Sequence, residues 1–339
     1  MLRYTTLILT ALALATPAAA QQPEKPAELP RPWFVDDEKL FDDFMEKLTA
    51  LAKGGKCLTK DRLDAKLKPG TKARFTPAKP GDKALSPEEV HKLALPSVFV
   101  VGSVYKDKDG EWQDGLYATA WAATADGVLV TNWHVFEDLE DGEVFGVLDH
   151  KGTVYPVTDF LGGDKLADVA FFRVDAKDLA PLPVAESFAP IGSWVGVLSH
   201  PGDNFYVYST GTVTRYSTNT NDDGKRERWM GLTAEYAGGS SGAPVLDKYG
   251  SVVGMAALTL TIDDGGGAVN PPARRRLLAG QPPKHRAAKR QPPVAPPPRE
   301  KPRPEDVGMA VPALPPTVQM ILKMGVPGPT ILRHVAKPE

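Results

Sequence analysis

The apolar positions of the chain follow a helical period near its beginning and a strand-like pattern from residue 96 onward. Over residues 36–53, apolar side chains recur three and four positions apart, and Gly54 follows as a stop signal. A second helix is predicted to begin at Ser86, because Glu89 completes an S-x-x-E capping box. Both helices belong to a predicted N-terminal extension over residues 21–95.

From residue 96 onward, short apolar runs recur at intervals of roughly ten residues, with turn signals such as Asp109-Gly110 between them. Strands of this length and spacing are typical of an all-β barrel or sandwich. The sequence therefore predicts an all-β domain over residues 96–325. We expect it to be closed by a strand and a short helix within residues 305–325, and to be followed by a tail over residues 326–339.

Residues 264–304 interrupt the pattern of strands with a segment that has no apolar periodicity. Within it, residues 271–304 contain eleven prolines, ten Lys and Arg residues and one acid, which gives a net charge of +9. A basic, proline-rich segment cannot bury enough apolar surface to fold. We therefore predict a disordered insert here.

The first twenty residues are predicted to be a signal peptide that directs export. Arg3 supplies a positive charge, residues 7–15 form an apolar run, and small residues lead to a cleavage site near Ala20. The apolar run is far shorter than the roughly 20 residues that span a bilayer. We expect a periplasmic or extracellular protein with no membrane span.

Composition excludes several other classes of protein. The net charge of −2 over 339 residues argues against a general affinity for nucleic acid. The single cysteine, Cys57, excludes a disulfide framework and any multi-cysteine metal site, and the histidines lack metal-ligand spacing. The sequence thus predicts neither a metal nor a cofactor.

Three segments carry the residue types that nucleophilic catalysis needs. They are TNWHV, which contains His134; LADVAFFRV, which contains Asp168; and GGSSGAPV, which contains Ser241. A serine hydroxyl needs a base, an imidazole can accept its proton near neutral pH, and a carboxylate can fix the imidazole tautomer. The backbone N–H groups of Gly239 and Ser241 could form an oxyanion hole. Each motif is common alone, but their joint occurrence on an all-β chain indicates a catalytic triad.

Together the three motifs resemble the trypsin-like serine peptidases of the chymotrypsin fold, and more closely their bacterial HtrA-type branch. The resemblance covers residues 95–262 and 305–325, where residues 308–312 are similar to that branch's closing strand. It implies two six-stranded antiparallel β-barrels, with His134 as the base, Asp168 as its orienting carboxylate and Ser241 as the nucleophile.

The sequence departs from the family pattern at several points. Residues 118–121 (ATAW) replace the usual G-S-G-F-like strand of the active-site wall, and we expect no PDZ-like domain after the peptidase domain. By the same resemblance, Glu235 would lie at the floor of the primary specificity pocket, where an acid favours basic side chains. Alternatively Glu235 is a surface residue, and Tyr236 and Leu258 line an apolar pocket.

These observations favour an exported serine endopeptidase that cleaves unfolded or flexible protein segments through an acyl-enzyme intermediate. One alternative is an inactive, protease-like scaffold that binds peptides. Another is a protein tethered to an anionic surface through residues 271–304. The sequence leaves the oligomeric state and the physiological substrate open.

Overall fold

The structure, a computed structural model, describes residues 34–137, 139–221, 223–263, 268–269 and 318–338. The predicted signal peptide and nearly all of the predicted insert lie outside these residues. Among the described residues, no helix combines the length and apolar character needed to cross a bilayer.

A closed antiparallel barrel of six strands forms the first half of the all-β region. Its strands are β2 Val98–Lys106, β3 Trp112–Ala122, β4 Val128–Thr131, β5 Val144–Leu148, β6 Val154–Asp164 and β7 Val169–Val174. They follow the order β2-β3-β4-β7-β6-β5, and the pairing of β5 with β2 closes the ring. The buried ring of Phe136 makes edge contacts with Phe145, Phe160 and Phe172, so one aromatic cluster ties together three of the strands.

A second antiparallel sheet has seven strands, six of which close into another ring. Its strands are β8 Trp194–Ser199, β9 Val207–Thr220, β10 Arg226–Leu232, β11 Pro244–Leu246, β12 Val252–Asp263, β13 Ala268–Val269 and β14 Val318–Pro327. The order is β11-β8-β9-β10-β14-β12, and β11 pairs with β12 to close the ring, while β13 pairs only with the end of β12. The two six-stranded barrels predicted from the sequence are thus confirmed.

The end of the second barrel differs from the prediction in its register. The expected closing strand at residues 308–312 lies outside the described residues, and the strand that closes the barrel is β14. The helix comes later, as α4 Gly328–Leu332, and β15 Val335–Ala336 follows it. Residues 318–325, which the sequence placed partly in a helix, are extended because they pair along β12, and residues 323–325 also pair with β10. The two residues of β13 likewise continue the sheet into the segment predicted as a disordered insert.

The N-terminal extension packs directly on the barrels. Its elements are α1 Asp37–Lys53, α2 Lys60–Lys66, β1 Ala73–Arg74 and α3 Pro87–Ala94. Helix α1 buries Phe44 and Leu48 against Gly102 and Gly146, where a Cβ atom would collide with those side chains. The glycines therefore create the groove that α1 fills.

Two local predictions for this extension are confirmed, and one contact could not be foreseen. Helix α1 ends where Gly54 caps it, and α3 begins with the complete Ser86–Glu89 capping box. Strand β1 pairs in parallel with β15, so the extension also binds the C-terminal end of the described chain.

Candidate active site

The predicted base stands at the end of the first barrel's short strand β4. After Thr131 the backbone leaves the sheet in a 3₁₀ turn over Trp133–Phe136, and the buried Trp133 and Phe136 side chains fix that turn in the barrel core. His134 lies between these two anchors and keeps its ring partly exposed. The alternation of buried and exposed positions in one tight turn directs the imidazole out of the core.

The predicted orienting carboxylate approaches His134 from the start of β7. The Asp168 carboxylate lies 2.8 and 2.9 Å from the imidazole Nδ1, and it also accepts a hydrogen bond from the His134 backbone N–H at 3.1 Å. A carboxylate at Nδ1 stabilises the tautomer with the proton on Nδ1, in which Nε2 carries the lone pair that can accept a proton.

The backbone of Asp168 is itself held in an unusual conformation. Its φ angle is +52°, in the left-handed region that non-glycine residues adopt at a cost of about 1–3 kcal/mol. The Asn132 side-chain amide donates to the Asp168 carbonyl at 3.0 Å and helps to hold this conformation. Asn132 follows Thr131 in the TNWHV motif, so the motif supplies both the base and a clamp for its partner.

The loop that carries Ser241 packs against β3 and the end of β4. The Thr119 backbone N–H donates to the Ser241 carbonyl at 2.8 Å. Gly242 has φ +90°, and a Cβ atom there would collide with the Thr119 carbonyl and the Thr131 hydroxyl. Since Thr131 lies three residues before His134, only glycine at position 242 lets the serine loop come this close to the strand that delivers the base.

The neighbouring serine has a structural role. Ser240 is completely buried, and its hydroxyl donates to the Ser199 hydroxyl at 3.1 Å. Ser241 keeps part of its surface exposed. These positions support Ser241 rather than Ser240 as the nucleophile.

The glycine-rich turn before Ser241 rests on residues that the sequence did not single out. Gly239 has φ +93°, and its carbonyl accepts a hydrogen bond from the Thr119 hydroxyl at 3.0 Å. The Gly202 backbone N–H donates to the Gly238 carbonyl at 2.8 Å. Thr119 lies within the ATAW segment, whose departure from the family pattern was the available signal, whereas Gly202 gave none.

His200 packs against the same turn. It is fully buried, its carbonyl lies directly against Gly239, and its Nδ1 accepts a hydrogen bond from the Tyr206 backbone N–H at 3.0 Å. Burial lowers the pKa of His200 from 6.5 to about 3, because the charged form would lose its hydration. A neutral imidazole therefore underlies the turn at physiological pH.

The three candidate specificity residues lie close together with a fourth residue that the sequence did not predict. The Tyr236 hydroxyl donates to the Met324 carbonyl at 2.8 Å and contacts the Leu258 carbonyl at 3.5 Å. Glu235 is exposed, and its carboxylate forms an ion pair with the buried Lys323 at 3.2 Å. The acid at position 235 thus has a cationic partner within the chain.

The other candidate groups are metal-ligating side chains and the single cysteine, Cys57. The described residues contain no group of three or more His, Cys, Asp and Glu side chains that could hold a metal ion. Cys57 is buried, and burial raises the pKa of its thiol to about 11, so it stays protonated at neutral pH.

The fold and these contacts define the class of protein. Two six-stranded antiparallel barrels, with a His–Asp pair on the first and a glycine-rich serine loop on the second, are the architecture of a chymotrypsin-type peptidase domain. Residues 118–255 match the trypsin-like peptidase domain family. The chain therefore carries a trypsin-like peptidase domain, as its three motifs predicted.

Curated bacterial proteins named as serine proteases are also similar to this chain. Over 144 residues the chain is 27% identical to a DegP-like periplasmic serine endoprotease of Chlamydia pneumoniae, an alignment covering 42% of this chain and 29% of that protein. It is 28% identical over 144 residues to the serine protease HhoB of Synechocystis, covering 39% and 32%. The chain spans about a third or less of the length of these relatives.

Proposed function

We propose that the protein is a serine endopeptidase in which Ser241 attacks the peptide carbonyl, His134 serves as general base and Asp168 orients it. The observation that carries the proposal is the Asp168 carboxylate held against His134 Nδ1 on the first barrel, with the Ser241 loop of the second barrel packed on the same strand ends.

The proposed reaction proceeds through an acyl-enzyme. His134 Nε2 takes the Ser241 hydroxyl proton as Oγ bonds to the carbonyl carbon, and then delivers that proton to the leaving amine. Water afterwards attacks the ester carbonyl and gives a proton to His134, which passes it to Ser241 Oγ as the acyl bond breaks and the acid product leaves. The Asp168 carboxylate stabilises the imidazolium that forms in each half.

The oxyanion of each tetrahedral intermediate is proposed to bind the backbone N–H groups of Gly239 and Ser241. Such donors stabilise the transition state because they are already oriented, and each contributes roughly 3–4 kcal/mol. In support, the turn is held from two sides by the Thr119 hydroxyl and by residues 200–202. This support would keep the donors from reorganising during the reaction.

We further propose that the protein acts outside the cytoplasm on unfolded or flexible protein segments. Export is supported by the signal-peptide pattern of residues 1–20 and by the periplasmic location in the names of the Chlamydia relatives. The preference for flexible segments follows from the need to place an extended peptide beside Ser241.

The test uses purified mature protein with unfolded casein and a fluorophosphonate probe, which labels only an activated serine. We expect casein cleavage and labelling, both lost by several orders of magnitude in Ser241→Ala. Ser240→Ala is the matched control, since it removes a hydroxyl one residue away. A wild-type protein that binds casein but neither cleaves it nor reacts would instead be a peptide-binding scaffold, and an active Ser241→Ala would exclude this nucleophile.

A further inference from the structure

Lys323 is a buried cation in the strand that closes the second barrel. It lies in β14, paired with Leu232 of β10 and with Thr259 of β12, and only 7% of its side chain is exposed. Burying an ammonium group is unfavourable unless polar groups replace its water shell. The contacts of Lys323 therefore show what this charge is positioned to meet.

The ammonium group is fixed from the side of the catalytic loop. Lys323 Nζ donates to the Tyr236 carbonyl at 2.5 Å and lies 5.5 Å from the centre of the Tyr236 ring. The Tyr236 hydroxyl in turn donates to the carbonyl of Met324, the next residue along β14. This reciprocal contact locks the lysine and the tyrosine together five residues before Ser241.

The same strands bring the ammonium near the reacting centre. The Gly242 backbone N–H donates to the Ala256 carbonyl at 3.0 Å, and Ala256 of β12 pairs with Gly325 of β14. Gly325 lies about 5 Å across the sheet from Ala256, and Lys323 is two residues further, about 7 Å along an extended strand. The long lysine side chain and the side chain of a bound substrate residue would approach each other from the two ends of this path.

The two side chains of the Lys323–Glu235 ion pair differ strongly in exposure. The Glu235 side chain is 80% exposed, whereas the Lys323 side chain is 7% exposed. The exposed Glu235 carboxylate has room to turn into solvent, and the ammonium group then keeps the Tyr236 carbonyl as a hydrogen-bond acceptor. A substrate carboxylate could take its place on the ammonium, while a substrate cation would lie beside a positive charge that cannot leave.

We propose that Lys323 is a specificity-determining residue that selects substrates with Asp or Glu immediately before the cleaved bond. Glu235 is an internal competitor for the same ammonium group. The inference rests on the proposed peptidase function and adds to it the charge of the preferred substrate. It reverses the expectation from Glu235 alone, which favoured basic side chains.

The test measures cleavage of a peptide library by the mature protein, with rates divided by the fraction of enzyme that a fluorophosphonate labels. We expect the wild type to cut after Asp and Glu at least about tenfold faster than after Lys and Arg. Lys323→Met, which keeps an unbranched side chain of similar length, should abolish that difference. Glu235→Gln should increase cleavage after acidic residues, because the competitor is removed. Lys248→Met, an exposed site with the same change of charge, is the control.

The outcomes separate this proposal from the proposed function. A labelled enzyme that cuts after Lys and Arg, or a labelled Lys323→Met with the wild-type profile, would overturn the role of Lys323 and leave the peptidase function standing. A wild type that neither reacts nor cleaves would overturn both. Should Lys323→Met fail to fold, Glu235→Gln decides, since unchanged cleavage after acidic residues contradicts competition for the ammonium.

Discussion

Replacing Asp168 with asparagine changes which nitrogen of His134 carries the proton. The carboxylate accepts from both the His134 backbone N–H and the ring Nδ1. An asparagine in the same place has one acceptor oxygen and one NH₂ donor. If the oxygen keeps the backbone bond, the NH₂ faces Nδ1 and favours the tautomer with the proton on Nε2. His134 would then direct a donor rather than a lone pair at the Ser241 hydroxyl.

The expected loss of activity is large because His134 can no longer act as a base, while the fold is retained. For a triad of this kind the wrong tautomer lowers kcat by about 10⁴-fold, which corresponds to about 5 kcal/mol of transition-state stabilisation. Asp168→Asn is close to isosteric and should leave the melting temperature within a few degrees. The assay is steady-state cleavage of a chromogenic peptide at neutral pH, with the melting temperature of each variant measured in parallel.

Asp164→Asn is the matched control for this experiment. Asp164 lies four residues earlier, and its carboxylate accepts from the Ala167 backbone N–H at 2.8 Å, a bond that an asparagine oxygen can keep. It should retain activity within a few-fold. A folded Asp168→Asn enzyme with more than a tenth of wild-type kcat would refute the argument that this carboxylate sets the tautomer of His134.

Two further predictions concern stability. Phe44→Ala should lower the free energy of unfolding in urea by about 3–5 kcal/mol, because Phe44 is fully buried against Gly102. The control Glu46→Ala, at an exposed position of the same helix, should change it by no more than about 0.5 kcal/mol. Equal effects would show that α1 does not dock as described. Between pH 3 and 6.5 the unfolded chain protonates His200 and the folded chain does not, so this group should make the free energy of unfolding fall as pH drops, by up to about 1.4 kcal/mol per pH unit. His200→Gln should reduce that slope between pH 4 and 6, and the same slope in both proteins would contradict the burial of a neutral imidazole.

The sequence alone determined the features that depend on short stretches of chain. A capping box, a glycine stop and strand-length apolar runs act within a few residues, so the helices α1 and α3 and the all-β class could be predicted. The two-barrel arrangement was implied by the resemblance of the three motifs to the trypsin-like peptidases. The residues of the proposed triad could be singled out for a similar reason, since each stands in a compact motif. Their order along the chain also matched that of a single triad.

The register of the last strand was decided by pairing in the folded protein. The apolar run of residues 320–326 is compatible with a helix or a buried strand, and periodicity alone does not separate the two. Hydrogen bonds to β10 on one side and β12 on the other make it a strand, and the helix moves to Gly328–Leu332.

The surroundings of the active site also depended on tertiary structure. Lys323 meets the Tyr236 carbonyl across 87 positions of sequence, and the Thr119 hydroxyl reaches the Gly239 carbonyl across 120. Nothing in the local sequence distinguishes that lysine from a solvated one, because its burial is imposed by the strands on either side. The motifs identified the proposed catalytic groups, whereas the closure of the second barrel determined which charge lies against Tyr236.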